Sequence, residues 1–223
     1  MFVHYSSRGK HETWLIEAHR KQSRGRFGNE HRRVRTARPR HVAQVFDGVH
    51  DENASRDLLR SFSVAAALDT SLTTLDGESR PLKEWTTTFH LASIVIDPYT
   101  NESAWILQTA ARILRHFGGA ATRVNFIVTA GPAEAKQFLG PLAKEFLTYV
   151  DPDRVMVKQL GLKTLPAFVF IQGDGSVPAS AEGWNPQEWR AVATHIAETV
   201  QWSAPHIPSA GDPGSFAGSP ALG

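Results

Sequence analysis

Two hydroxyl residues, Thr100 and Ser103, stand three positions apart where an apolar segment gives way to a helical pattern. Asp97 and Glu102 lie beside them in sequence and could assist a serine nucleophile. However, no histidine is close in sequence, no Gly-x-Ser-x-Gly motif surrounds Ser103, and neighbouring carboxylates do not lower the pKa of a hydroxyl group. A hydrolytic or small-molecule-binding enzyme that uses this junction is therefore an alternative hypothesis and not the first one.

The absence of cysteine removes several classes of chemistry. None of the 223 residues is a cysteine, which excludes disulfides, thiolate metal sites, iron–sulfur clusters and cysteine nucleophiles. His11 and His19 are eight positions apart, which is not the spacing of a zinc-binding helix. The sequence therefore predicts no metal site and no cofactor.

Charge is distributed unevenly along the chain. The net charge is +2, but residues 1–42 hold eleven Lys and Arg against three Glu, which gives this arm +8 and leaves −6 elsewhere. The arm has few apolar side chains to bury, so we expect it to be disordered. It could bind nucleic acid or an acidic partner, and its densest basic cluster is Arg32, Arg33, Arg35, Arg38 and Arg40. No aromatic residue interleaves that cluster to stack on bases, which favours an unstructured extension.

Apolar periodicity predicts the central elements. Residues 89–96 and 124–128 are apolar runs typical of buried strands. Between them, apolar residues recur at helical spacing from Ile106 to Phe117, and two glycines follow as a stop signal. Strands joined by a helix are expected to lie parallel in one sheet.

The remaining segments predict a hairpin and several shorter elements. A turn at residues 173–175 is expected to join a strand at 166–171 to one at 176–178. The other predictions are a strand at 72–75, a turn or helix at 81–85, a helix at 133–147 interrupted at Gly140 and Pro141, a brief strand at 149–150, and helices at 155–160 and 186–200. The order predicts an α/β fold with three layers, in which helices cover both faces of a mixed central sheet.

This order, together with residues 163–170, resembles the thioredoxin-like superfamily. A hydrophobic residue, Leu165, followed by Pro166 and an apolar strand is similar to the cis-proline segment of that superfamily. Residues 151–155 and the long interval before Pro166 resemble its TlpA and peroxiredoxin-like branch. Thr100 and Ser103 fall where the two cysteines of the family's Cys-x-x-Cys motif would stand. Since two hydroxyl groups form no analogue of a disulfide, thiol–disulfide oxidoreductase, peroxidase and isomerase activity are not carried over.

The resemblance implies a groove between the start of the helix and the cis-proline, where family members bind extended peptides. The predicted groove residues are Tyr99, Thr100, Asn101, Glu102, Ser103, Thr164, Leu165 and Pro166. Two interpretations remain open: the groove binds a peptide or small anion, or its polar residues merely cap the helix and the groove is filled. The first hypothesis for function is a redox-inactive scaffold or regulator that binds a protein or peptide partner.

Four regions are expected along the chain. They are a basic arm at residues 1–42, a linker with a short helix at 43–67, a thioredoxin-like domain at 68–202 and a disordered tail at 203–223. The tail prediction rests on its four prolines, four glycines and small side chains. No apolar run approaches the roughly 20 residues that cross a bilayer, and the N-terminal region lacks an apolar signal segment. We therefore expect a cytoplasmic protein without membrane association.

Overall fold

The computed structural model describes residues 65–223, which all belong to one unit. The basic arm at 1–42 and nearly all of the predicted linker lie outside the described residues. At the start of the described part, Ala65 forms a β-bridge with Ser176.

Short strands and helices alternate along the described residues. The strands are β1 (Ser71–Thr74), β2 (Ser79–Pro81), β3 (His90–Ile96), β4 (Thr122–Val128), β5 (Leu147–Val150), β6 (Thr164–Leu165), β7 (Ala167–Ile171), β8 (Ala179–Glu182) and β9 (Ser219–Pro220). The helices are α1 (Leu82–Trp85), α2 (Asn101–His116), α3 (Pro132–Leu139), α4 (Leu142–Glu145), α5 (Val155–Gln159) and α6 (Pro186–Thr199).

Seven strands form one mixed sheet in the order β2-β1-β5-β4-β3-β7-β8. β3 and β4 are parallel, as their connection through α2 predicts, and β5 continues the parallel run beside β4. β7 lies antiparallel to β3, and β8 is antiparallel to β7. The predicted mixed sheet is confirmed, and its strand β3, which lies between β4 and β7, ends at Ile96, shortly before the Thr100–Ser103 junction.

Apolar side chains on both faces of the sheet hold the helices in place. Ile94, on one face, belongs to a hydrophobic cluster shared with α2, α3, α4 and α6, whereas its neighbour Val95 belongs to a second cluster shared with α1 and α5. The largest fully buried side chains include Trp184 and Trp189. Since burial of a large apolar side chain stabilises by about 1.5–3 kcal/mol, these clusters account for the predicted arrangement of helices on both faces.

Two local predictions are wrong in their bounds. The helix predicted at 133–147 is interrupted at Gly140 and Pro141 as expected, and Gly140 has a positive φ of 55° between α3 and α4, but α4 ends at Glu145 and Leu147 already begins β5. The strand predicted at 176–178 is instead β8, at Ala179–Glu182. Ser176 still belongs to the turn, since both its N–H and its hydroxyl donate to the Asp174 carboxylate.

The prediction of a disordered tail at 203–223 is also wrong. Ile207 and Ala221 are buried in the two hydrophobic clusters, and Ser219–Pro220 forms β9. Composition alone misled here, because a segment of prolines, glycines and small residues can pack closely once a matching surface exists. That surface includes the edge of the predicted groove.

No helix within residues 65–223 is long enough to span a membrane. The longest of them, α2, has 16 residues and includes charged side chains, and none is long and apolar enough to cross a bilayer.

The half-buried imidazole of His195 is expected to make folding sensitive to acid. Its buried Nε2 atom has no hydrogen-bond partner within residues 65–223, and burial lowers the pKa of His195 from its ordinary value, with Glu198 opposing the shift. The unfolded chain therefore takes up more protons than the folded one as the pH falls through about 6.5, and stability is lost there. We expect the free energy of unfolding to fall more between about pH 7.5 and about pH 5.5 in the native chain than in His195→Gln, as measured by urea unfolding. Identical pH dependence of the two proteins would contradict this assignment.

Candidate functional site

A closed network of hydrogen bonds joins the end of β3 to the start of α2. The Asp97 N–H donates to the Ser103 hydroxyl oxygen at 2.9 Å, and the Thr100 hydroxyl lies 3.0 Å from both that oxygen and the Asp97 carbonyl. The Tyr99 N–H donates to the Asp97 carboxylate at 3.0 Å. The two hydroxyl residues thus fix the turn between strand and helix, and Thr100 occupies the N-cap position without bonding a backbone N–H of the helix.

Burial of Ser103 decides what this junction can do chemically. The residue has no solvent exposure, and its hydroxyl oxygen already accepts hydrogen bonds from Asp97 and Thr100. A nucleophilic serine needs an open approach for substrate and a base that takes its proton. The carboxylate of Asp97 is engaged by Tyr99 and by Arg154. The geometry therefore supports a structural role for Ser103 and gives no support to the hydrolytic alternative.

The second half of the predicted groove is the segment before β7. The peptide bond between Leu165 and Pro166 is cis, and both residues are buried. The Glu182 carboxylate accepts hydrogen bonds from the N–H groups of Lys163 and Thr164, at 2.8 and 2.6 Å. Glu182 therefore anchors β6 from one side and holds its backbone in an extended conformation.

On its other side, β6 pairs with the chain's own C-terminal segment. β9 (Ser219–Pro220) lies antiparallel to β6 (Thr164–Leu165), and the Ala221 N–H donates to the Lys163 carbonyl at 2.8 Å. The groove is therefore filled, although by residues 219–221 and not by its own side chains.

β9 also reaches the start of α2. A hydrogen bond from the Ser219 side chain lowers the pKa of Glu102, which lies in the first turn of that helix. Ser219 thus lies near both halves of the predicted groove, since Leu165 is its partner in the β6–β9 pair. We call the surface between the first turn of α2 and residues Thr164–Pro166 the Pro166 groove.

Arg154 connects this segment to the interior. Its Nη1 donates to the Ala221 carbonyl at 2.6 Å, and its Nη2 donates to the Asp97 carboxylate at 2.7 Å. The side chains of Asp97 and Arg154 are 6% and 18% exposed, so the ion pair is largely removed from water. Arg154 adopts a left-handed backbone conformation, with φ of 55°, directly before α5. Such a conformation is costly for a residue with a side chain, and here it accompanies an arginine that contacts two other segments.

Upstream of β9, polar contacts hold the tail on α2. The Asp212 carboxylate accepts hydrogen bonds from Thr109 at 2.8 Å, from Arg112 at 2.7 Å and from the Ser209 N–H at 2.6 Å. Further along, Phe216 and Trp184 exchange two backbone hydrogen bonds, at 2.8 and 3.0 Å. The tail is therefore attached at several points before it enters the Pro166 groove.

The structure brings the predicted groove residues together, but it places them differently with respect to solvent. Tyr99 and Asn101 are exposed, Thr100, Glu102 and Thr164 are half-buried, and Ser103, Leu165 and Pro166 are buried. Sequence reasoning missed Arg154, Glu182 and residues 216–221. Arg154 carries no local signal in the sequence, because its role depends on a partner 67 positions away.

Solved structures of other proteins are similar to this fold. Residues of this chain align with a protein from Chlorobium tepidum assigned as the thiol:disulfide interchange protein DsbE, at 17% identity and a TM-score of 0.53, over 62% of this chain and 98% of that one. A protein from Bacteroides thetaiotaomicron assigned as a protein disulfide isomerase aligns at 16% identity and a TM-score of 0.51, over 63% of this chain and 91% of that one. The fold is thioredoxin-like. No protein-family model and no curated protein matches the sequence.

The structural similarity establishes the fold, but at a sequence identity this low it does not establish the activity. The two similar structures are described as disulfide-exchange proteins, whereas this thioredoxin-like chain contains no cysteine. Thiol–disulfide exchange requires a thiolate nucleophile, which the chain lacks.

The Asp97–Arg154 pair is open to a direct energetic test. Arg154→Gln is expected to destabilise the fold by about 3 kcal/mol, because it leaves a buried carboxylate without its partner. Asp97→Asn removes the other charge, and the double variant should lose less than the sum of the two single variants, with a coupling energy of about 2 kcal/mol. Urea unfolding of the four proteins measures each value. Strict additivity would show that the two side chains do not depend on one another.

The strand–helix junction is expected to accept a disulfide. The hydroxyl oxygens of Thr100 and Ser103 are 3.0 Å apart, so cysteines placed there would have converging sulfur atoms. We expect Thr100→Cys combined with Ser103→Cys to lose both titratable thiols on mild oxidation and to regain them on reduction.

The single variants Thr100→Cys and Ser103→Cys are the matched controls, and each contributes one thiol to a chain that otherwise has none. The thiol of Ser103→Cys should react slowly in the folded state, because that position has no solvent exposure. Two free thiols that persist after oxidation of the double variant would show that the junction has lost the family's geometry.

Proposed function

We propose that this protein binds an extended segment of a partner protein or peptide in the Pro166 groove and acts without redox chemistry. The observation that carries the proposal is the pairing of β6 with residues 219–221, which shows that this edge accepts a strand through main-chain hydrogen bonds. Addition of a peptide strand to an exposed edge is a common mode of peptide recognition.

Exposed apolar side chains near the groove support a binding role. Among the described residues, the large hydrophobic side chains that remain exposed are Phe89, Tyr99, Trp105, Val155, Trp202 and Leu222. Four of these six belong to segments at the groove: Tyr99 and Trp105 flank the first turn of α2, Val155 adjoins Arg154, and Leu222 adjoins Ala221. Exposed apolar side chains beside a groove add contact area for a protein partner.

The chemistry of the site favours binding over catalysis. The chain has no thiol, and the one candidate hydroxyl nucleophile, Ser103, is fully buried and hydrogen-bonded. What remains is a shaped edge with backbone donors and acceptors, and such an edge recognises extended chains.

In this proposal, residues 203–223 act as a tethered competitor. A segment joined to the domain by a short linker competes at an effective concentration of about a millimolar or more. A partner would therefore bind the native chain more weakly than a chain whose tail has been displaced. Its apparent affinity for the native chain would be the intrinsic affinity multiplied by the fraction of molecules whose groove is free.

Displacement of the tail is the test. Gly218 has φ of 89°, and a Cβ atom there would lie 2.7 Å from the Leu165 carbonyl oxygen, so Gly218→Val cannot keep the native pairing. We expect a fluorescent peptide of residues 213–223 to bind the folded Gly218→Val chain saturably and at least about tenfold more tightly than it binds the native chain. Fluorescence anisotropy measures the affinities.

Gly214→Val is the matched control, because Gly214 has open space around it and no left-handed conformation. It should bind the peptide as weakly as the native chain does. Circular dichroism establishes that each variant is folded, and Gly218→Ala is the milder replacement if the valine variant is not. Absence of saturable binding to a folded, tail-displaced chain would refute the proposal, and a native dimer that becomes a monomer in Gly218→Val would identify the occupant as the tail of a second copy.

A further inference from the structure

The segment that fills the Pro166 groove packs closely against the domain at Gly218. A Cβ atom at this position would lie 2.7 Å from the Leu165 carbonyl oxygen and 3.0 Å from the Cα atom of Gly183. Both crowding groups belong to the backbone, so they cannot move aside as a flexible side chain could. Gly183 is itself in a left-handed conformation, and a Cβ atom there would collide with the Ala217 carbonyl. The two segments of the chain therefore meet glycine against glycine, with no space for a side chain.

The second close contact is at Ala221, three positions later. Its side chain is fully buried in the same hydrophobic cluster as Leu162 and Leu165. Its N–H donates to the Lys163 carbonyl and its carbonyl accepts from Arg154, so both of its backbone groups are engaged. A methyl group fits this enclosed position, and a larger side chain would overpack it.

The two residues between these contacts form β9, but their side chains are less enclosed. Ser219 is half-buried and Pro220 is exposed. Ala217, before Gly218, is also exposed, and so is Leu222, after Ala221. Selectivity is thus concentrated at two positions of the bound segment.

We infer that the Pro166 groove selects partner segments of the pattern Gly-x-x-Ala, with the glycine against Gly183 and the alanine beside Arg154. The inference rests on the proposed function, since it names the kind of segment that the groove takes. It goes further in assigning Gly183 and Arg154 as the residues that set specificity.

Charge also restricts the ligand. The guanidinium group of Arg154 is already paired with the Asp97 carboxylate at 2.7 Å, so it offers a donor to a neutral carbonyl without an excess positive charge. Leu222, which follows Ala221, is exposed to solvent. The groove therefore suits an internal stretch of a partner chain and does not require a terminal carboxylate.

A set of peptides tests the pattern on the folded Gly218→Val chain. The parent peptide is residues 213–223, and its variants form two matched pairs: Gly218→Ala with Gly214→Ala, and Ala221→Val with Ala217→Val. Each pair makes the same chemical change at a crowded position and at an open or exposed one. We expect Gly218→Ala and Ala221→Val to weaken binding by about tenfold or more, and their partners to bind within about twofold of the parent peptide.

The outcomes separate this inference from the proposed function. If the parent peptide binds and all four variants bind equally well, the groove recognises backbone alone and the Gly-x-x-Ala pattern is refuted, while peptide binding stands. If the parent peptide does not bind, the proposed function fails, and the pattern fails with it. A tenfold loss confined to Gly218→Ala and Ala221→Val supports both.

Discussion

The guanidinium group of Arg154 joins three parts of the chain that are distant in sequence. It pairs with Asp97 directly after β3 and donates to the Ala221 carbonyl near the C-terminus, and the backbone of Arg154 lies directly before α5. A largely buried carboxylate needs such a partner, because desolvation of an unpaired charge costs several kcal/mol. The position of the C-terminal segment is thereby coupled to the junction between β3 and α2, which is the place where thioredoxin-like proteins carry their cysteines.

At that junction the fold keeps its shape without redox chemistry. Thr100 and Ser103 hydrogen-bond to each other and to the Asp97 backbone, so two hydroxyl groups stabilise a turn that other members of the fold use for thiols. Because Ser103 is buried and its oxygen is fully engaged, the junction contributes stability and no nucleophile. Beside this junction lies the backbone edge next to Pro166, and the C-terminal segment occupies it.

The C-terminal segment shows how composition can mislead. Prolines, glycines and alanines usually indicate a tail that buries too little to fold. In this protein the same small residues permit the closest contacts, since Gly218 lies against Gly183 and Ala221 is enclosed beside Leu165. The Asp212 carboxylate adds charged and neutral hydrogen bonds to α2. A segment with little apolar surface is thus held by close backbone packing and polar contacts, and neither has a periodic signature in the sequence.

By itself, the sequence determined the alternation of buried strands and helices, the parallel pair at the centre of the sheet and the impossibility of thiol chemistry. These follow from local patterns, from the Leu165-Pro166 element and from the absence of a single residue type. Only the tertiary structure decided that Ser103 is buried, that Arg154 bridges Asp97 and Ala221, and that residues 219–221 fill the Pro166 groove. Each of these depends on groups that are tens of residues apart. The shape and charge of the folded chain select which groups pair, and local residue spacing does not predict those pairs.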